Sequence, residues 1–256
     1  KEGSDLFVLY GRRRIGKTTL CKKFAEDKPH FYFLARKQDF TLELERLRET
    51  FSEQNDVFIP DVNNLEELFG NILKKVGPED KFVFIIDEFP YWIEENKEIL
   101  SEMQHLWDES LKNENIFLLL TGSSIGMMES EVLDYKSPIY GRRTGQLRLD
   151  ELPLENLNEF FPNYSKEDQI RTYGALGGVP YYLKEFDPEK GFFENIRSTF
   201  LNKLNILHEE AEILLREELR KPNVYFNMIK AIIDGATKLS EISNQSKISI
   251  TNVNKY

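Results

Sequence analysis

The sequence is poor in cysteine, holding one, Cys21, among 256 residues. An internal disulfide is thereby excluded, and a reducing compartment fits. The thiol reads as a small packed side chain on a helix. Long apolar runs are also missing. The longest, Phe82–Ile86 and Ile116–Leu120, are strand-sized and far too short to span a bilayer. No signal peptide opens the chain, so a cytoplasmic protein without a membrane partner is expected. Histidine is scarce. His30, His105 and His208 lie far apart with no partners at metal spacing, and none reads as a ligand. Positive charge is in deficit: a net charge of −10 argues against a nucleic-acid footprint over the whole surface, though not against a local one. Repeats and low-complexity tracts are absent. What remains is ordinary for a globular chain, 40% hydrophobic and 30% charged, with length for one sizeable core and an appendage or for two modest domains.

The most informative stretch is Leu6-Phe7-Val8-Leu9-Tyr10-Gly11-Arg12-Arg13-Arg14-Ile15-Gly16-Lys17-Thr18-Thr19-Leu20. An apolar run feeds a loop of form G-x-x-x-x-G-K-[ST], and a helical pattern follows, which is the context a P-loop requires. Gly11 and Gly16 allow a tight turn and close approach to phosphate. The loop N–H groups and the helix N-terminus supply partial positive charge. Lys17 is expected to reach the β- and γ-phosphate oxygens, and the Thr18 hydroxyl to ligate Mg²⁺. Arg12, Arg13 and Arg14 are read as surface charges flanking the phosphate site, with Ile15 and Thr19 completing the nucleotide-binding loop.

Strand and helix patterns then alternate. Strands are expected at Leu6–Tyr10, His30–Ala35, Lys81–Glu88, Ile116–Leu120 and within Gly145–Leu149, and helices at Thr18–Asp27, Phe40–Glu53, Asn64–Val76 and Ile93–Leu111, with Gly77-Pro78 ending the third helix. Buried strands alternating with helices indicate a parallel sheet covered on both faces, with ligands off the carboxyl ends of its strands. Gly11, Asp87, Glu88 and Thr121 all fall at such ends. From Pro153 helical stretches replace strands. Ser165 opens one, Gly177-Gly178-Val179-Pro180 interrupts, and an amphipathic pattern runs from Phe192 to Leu219. Beyond Lys221-Pro222, the stretches Tyr225–Asp234, Lys238–Gln245 and Ser249–Tyr256 read as three short helices, the opening of a helix-turn-helix or winged-helix module. The chain starts almost on its first strand and stops inside a helical unit, which reads as part of a longer protein.

The strand-end acids carry the chemistry. Asp87 is placed to hold Mg²⁺ through its water shell, and Glu88 to polarise the attacking water. An N-K-x-D base-reading motif is absent, so ATP is preferred over GTP. Thr121 and Ser123 end the next strand, either as sensors of the γ-phosphate or as turn hydroxyls bonded to local backbone. Arg142 and Arg143 either supply transition-state charge, in cis or to a neighbouring subunit of a homo-oligomer, or form a solvated surface pair.

With these residues in hand, the chain resembles the archaeal-type ATPases of the STAND class, P-loop signalling ATPases related to the AAA+ and origin-recognition proteins. The likeness runs through Val8–Thr18, Phe84-Ile85-Ile86-Asp87-Glu88-Phe89-Pro90, Leu120-Thr121-Gly122-Ser123-Ser124, Tyr140-Gly141-Arg142-Arg143 and Gly177-Gly178-Val179-Pro180. It implies an α/β fold: a P-loop NTPase core with a parallel five-stranded sheet (residues 1–150), a helical lid (151–220) and a partial winged helix (221–256). It also implies that Gly178-Val179-Pro180 packs near the adenine, with Pro180 coupling lid to nucleotide state. Two departures stand out. The acidic and basic pair that relatives carry before the first strand is missing, and Ser123 replaces an arginine common after the sensor strand, leaving Arg142 or Arg143 as substitute. The expected activity is Mg²⁺-dependent ATP binding and hydrolysis driving a switch, with ATP and ADP as ligands. The alternatives are a DNA-binding regulator in which hydrolysis is minor, or a small-molecule kinase. A DNA or protein partner is expected through the C-terminal module, where five lysines face only Asp234 and Glu241.

Overall fold

Five apolar segments pair in parallel in the computed structural model, which describes residues 3–77, 80–219 and 221–255. In chain order the elements are β1 (Asp5–Tyr10), α1 (Lys17–Ala25), β2 (His30–Leu34), α2 (Phe40–Asn55), α3 (Leu65–Val76), β3 (Phe82–Asp87), α4 (Pro90–Glu95), α5 (Ile99–Leu106), β4 (Ile116–Gly122), α6 (Ile125–Met127) and β5 (Gly145–Arg148). The strand order is β2-β3-β4-β1-β5. The strand that ends in the loop and the strand that ends in the acids are therefore not neighbours, because β4 lies between them. Register sets Tyr10 beside Gly122, Ile86 beside Leu120 and Leu34 beside Asp87, so Gly11, Asp87 and Thr121 reach one edge of the sheet.

Alternation along the strands explains the two layers. Leu6, Val8, Phe31, Phe33, Phe84, Ile86, Leu118 and Leu120 point into the larger core, covered by α2, α3 and α5. Leu9, Val83, Ile85 and Leu119 point the other way, against Cys21 and Ala25 of α1. All six residues of β3 are buried, as a strand covered on both faces requires. Local signals set the helix ends. Asn64 Oδ1 accepts the Glu67 N–H at 2.8 Å to cap α3, Glu66 and Glu67 sit in its first turn, and Lys74 and Lys75 in its last. Gly77, with φ 74°, ends it; Pro78 lies outside the described residues.

One expected helix is divided. Ile93–Leu111 forms α4 and α5, and α5 runs on into a π-helical turn at Trp107–Leu111. The break is at Asn96, whose side-chain oxygen accepts the Glu98 N–H at 3.0 Å and so competes with a continuous helix.

A first compact unit runs to Leu152 and takes in Val179–Tyr181; a second comprises Pro153–Gly178 and the chain from Tyr182 onward. Beyond Leu152 the helices are α7 (Leu157–Phe160), α8 (Lys166–Leu176), α9 (Pro180–Leu183), α10 (Phe192–Ser198), α11 (Glu210–Glu218), α12 (Pro222–Ile233), α13 (Leu239–Ser246) and α14 (Ile250–Val253). Ser165 caps α8 by accepting from Asp168 N at 3.1 Å. The amphipathic stretch Phe192–Leu219 is two helices, α10 and α11, not one. Buried Asn195 lies within the first, its amide joined to Tyr164 and the Asp187 backbone. Tyr256, the expected end of the last helix, lies outside the described residues. Among those described, no helix is long and apolar enough to cross a membrane.

Candidate active site

The loop Gly11–Gly16 joins β1 to α1, and its glycines have separate reasons. A Cβ on Gly11 would stand 2.2 Å from the Leu149 carbonyl oxygen. Gly16 has φ 100°, which residues with a Cβ seldom adopt. Gly16 offers α1 no side-chain cap, so the loop leaves the first-turn N–H groups for another acceptor. Ile15 is buried beneath the loop, and Thr19 is exposed.

Lys17 is buried, and its Nζ donates to the Gly11 and Arg12 carbonyl oxygens at 2.8 and 3.0 Å. Burial lowers its pKa, an effect opposed by the Glu88 and Asp87 carboxylates. The three arginines are more tethered than surface charges would be. Arg12 pairs with Glu151, Arg13 donates to Tyr91 Oη at 3.2 Å, and the Arg14 guanidinium lies 5.2 Å from the Tyr181 ring centre. Tyr181 belongs to the same compact unit as the loop.

Asp87 gathers four donors at the strand end. It is buried, and its Oδ2 accepts from Thr18 Oγ1 and from Tyr32 Oη, each at 2.6 Å. Its Oδ1 accepts from Thr121 Oγ1 and from Glu88 N, the latter at 3.0 Å. Thr121 is thus held by the acid rather than by its own turn. One hydroxyl and one carboxylate, Thr18 and Asp87, form the hard-oxygen pair that suits Mg²⁺, which keeps water and phosphate oxygens in its other positions. Among the described residues, no group of three or more His, Cys, Asp or Glu side chains is disposed to hold a metal. Cys21, near Asp87, is buried, and its pKa is pushed up to about 12 by burial first and by Asp87 second, so it stays a thiol.

Glu88 leaves the strand in another direction. Its φ is 58°, and its Oε2 accepts from Ser123 N at 3.0 Å and Ser123 Oγ at 2.7 Å.

Arg142 and Arg143 do not join this group. They precede β5, where Thr144 N bonds the Leu6 oxygen at 2.8 Å, beside the start of β1. The Arg143 guanidinium extends along β5 to Gln146, the register partner of Val8, and lies near the Tyr10 phenol. Arg142 instead pairs with Asp108 at 2.7 Å, and Arg143 lies on Tyr140 with its ring centre 4.8 Å away. Tyr32 went unnoticed in the sequence, its only signal being one hydroxyl in an aromatic strand.

A parallel sheet with β4 inserted between the loop strand and the acid strand, and Lys17, Thr18 and Asp87 at its carboxyl edge, defines a P-loop NTPase. A family model for an ATPase domain predominantly from Archaea matches residues 1–186, and the chain belongs to that family. It carries an ATPase domain. An uncharacterised protein of Methanocaldococcus jannaschii is 37% identical over 240 residues, 94% of this chain and 52% of its own length. The chain spans about half the length of the curated relatives it matches. Among solved structures, the Walker-type ATPase of Pyrococcus abyssi superposes with a TM-score of 0.65 at 22% identity, covering 93% of this chain and 77% of the other. The Aeropyrum pernix ORC2 protein, solved as ADPNP–ADP complexes, gives 0.62 at 14%, covering 95% and 73%. At such identities the likeness shows the fold.

Proposed function

We propose that this protein is a Mg²⁺-dependent ATPase working as a nucleotide-driven switch of the STAND type. The observation that carries the reading is the Thr18–Asp87 contact, 2.6 Å across 69 residues of sequence, beside a loop built for phosphate. Bound Mg²⁺ would offset charge on the β- and γ-phosphates. Gly11–Thr19 would cradle the phosphates through backbone N–H groups, and Lys17 would exchange its two loop carbonyls for phosphate oxygens. Thr18 would ligate the metal directly and Asp87 through water. Glu88 would take a proton from the attacking water once it turns from Ser123, and Thr121 would hold Asp87 in place. In this reading residues 1–150 form the core, 151–220 a lid that responds through the Pro180 segment, and 221–256 open a winged helix. Hydrolysis would release the nucleotide-bound arrangement. The arginine pair would supply transition-state charge, in cis or to a neighbouring subunit.

A DNA partner for residues 221–255 is supported by the local excess of lysine in a chain that is otherwise acidic. Nucleotide affinity and turnover of the full-length protein, with Mg²⁺ or EDTA and with or without DNA, test both statements. Lys17→Ala should abolish tight ATP binding while the circular dichroism spectrum is retained. Unchanged affinity in that variant would sink the assignment, and salt-independent or absent DNA binding would remove the DNA partner.

A further inference from the structure

In the reading above Thr18 and Thr121 each have a part, but the third hydroxyl on Asp87 has none. Tyr32 stands in the middle of β2, between Phe31 and Phe33, which are buried in the larger core. Its own side chain points to the opposite face, toward α1, and phenylalanine would pack there as well. Its register partner on β3 is Ile85, two residues short of Asp87. The hydroxyl gains the strand end only because a phenol spans two residue rises, about 6.5 Å. Lys22 of α1 holds the ring in that direction, its Nζ 5.2 Å from the ring centre.

The resulting bond is specific. Tyr32 Oη and Thr18 Oγ1 reach the same oxygen, Asp87 Oδ2, each at 2.6 Å. A carboxylate oxygen offers two lone-pair directions. With one taken by Tyr32, the other is directed at Thr18.

We propose that Tyr32 is a positioning residue of the metal–nucleotide site: its O–H fixes the rotation of the Asp87 carboxylate so that Oδ2 faces Thr18 and the metal's water shell. The inference rests on the Mg²⁺–ATP reading. Phosphate binding by the loop does not pass through Asp87, so the effect should be confined to the metal-bound nucleotide.

The test is equilibrium ATP binding to the full-length protein, in Mg²⁺ and in EDTA, for wild type, Tyr32→Phe, Asp87→Asn and the double variant. Tyr32→Phe should weaken Mg²⁺–ATP binding by about tenfold, the loss of a hydrogen bond to a charged group. Affinity for ATP in EDTA should stay within about twofold, and the Mg²⁺ concentration giving half-maximal binding should rise. Adding Tyr32→Phe to Asp87→Asn should cost nothing further, because the hydroxyl acts through that carboxylate. Equal losses with and without metal, no loss with metal, or additive losses in the double variant would overturn the proposal. So would failure of Tyr32→Phe to fold, which would make the bond a fold determinant. A wild-type protein that binds ATP no better in Mg²⁺ than in EDTA would instead overturn the metal reading itself.

Discussion

Glu88 shows what a single residue reveals. Neighbouring side chains on a strand point to opposite faces, so two adjacent acids can serve one site only if the strand has ended between them. It has: β3 stops at Asp87, and Glu88 adopts φ 58°, a conformation costing about 1–2 kcal/mol for a residue with a Cβ. Its carboxylate then reaches Ser123. Glu88→Gln keeps the shape and loses the basicity. ATP affinity should be unchanged, and single-turnover hydrolysis should slow by roughly 10²–10⁴-fold, the range of a general base. Wild-type chemistry in that variant would assign the proton to another group. Spacing along the chain was enough to point to Gly11, Gly16, Lys17, Thr18, Asp87 and Glu88, because a loop and a strand end are local objects. Tyr32 was not legible, since its hydroxyl meets Asp87 only through the parallel register of β2 on β3. Nor were the partners of Arg142 and Arg143, Asp108 and Gln146.

Among the elements, α2 hides the least expected feature. Its Glu43 is fully buried and accepts from Arg36 N at 3.0 Å, Gln38 Nε2 at 2.8 Å, Arg46 and Trp92 Nε1 at 3.0 Å. One carboxylate thus ties the loop after β2, the second turn of α2 and helix α4, which follows the acid pair. In the sequence Glu43 is one acid among several on a polar-looking helix, and nothing local distinguishes it. Glu43→Ala would strand the Arg46 guanidinium and the indole N–H. The expected loss is about 3–5 kcal/mol, or on the order of 10 °C in the unfolding midpoint for a unit of this size. Thermal unfolding followed by circular dichroism measures it, and a shift of a degree or two would show that the site collapses without penalty. Helix existence was legible from apolar periodicity, whereas helix continuity was not. Asn96 breaks one expected helix through a side-chain hydrogen bond that a hydrophobic pattern does not record.

At the scale of the whole molecule, the division near Leu152 coincides with the change in the sequence from strands to helices. In the functional reading the arginine pair belongs to this scale, because it would supply charge to a neighbouring subunit. Turnover per molecule should therefore rise with protein concentration. Arg142→Ala and Arg143→Ala together should flatten that rise while sparing ATP affinity. A concentration series of kcat decides it, and identical profiles for wild type and the double variant would leave the pair a structural role, through Asp108 for Arg142 and through Tyr140, Leu133 and Gln146 for Arg143.

The knot at Asp87 has a consequence for how the chain comes to life. Its donors come from α1, β2, β4 and the turn after β3, as far as 69 residues away in sequence. During synthesis the glycine-rich loop emerges long before its acid, and β4 has still to slide between them. Competence accordingly arrives late and all at once. A nascent or prematurely terminated chain can carry every residue of the loop and still be unable to squander ATP.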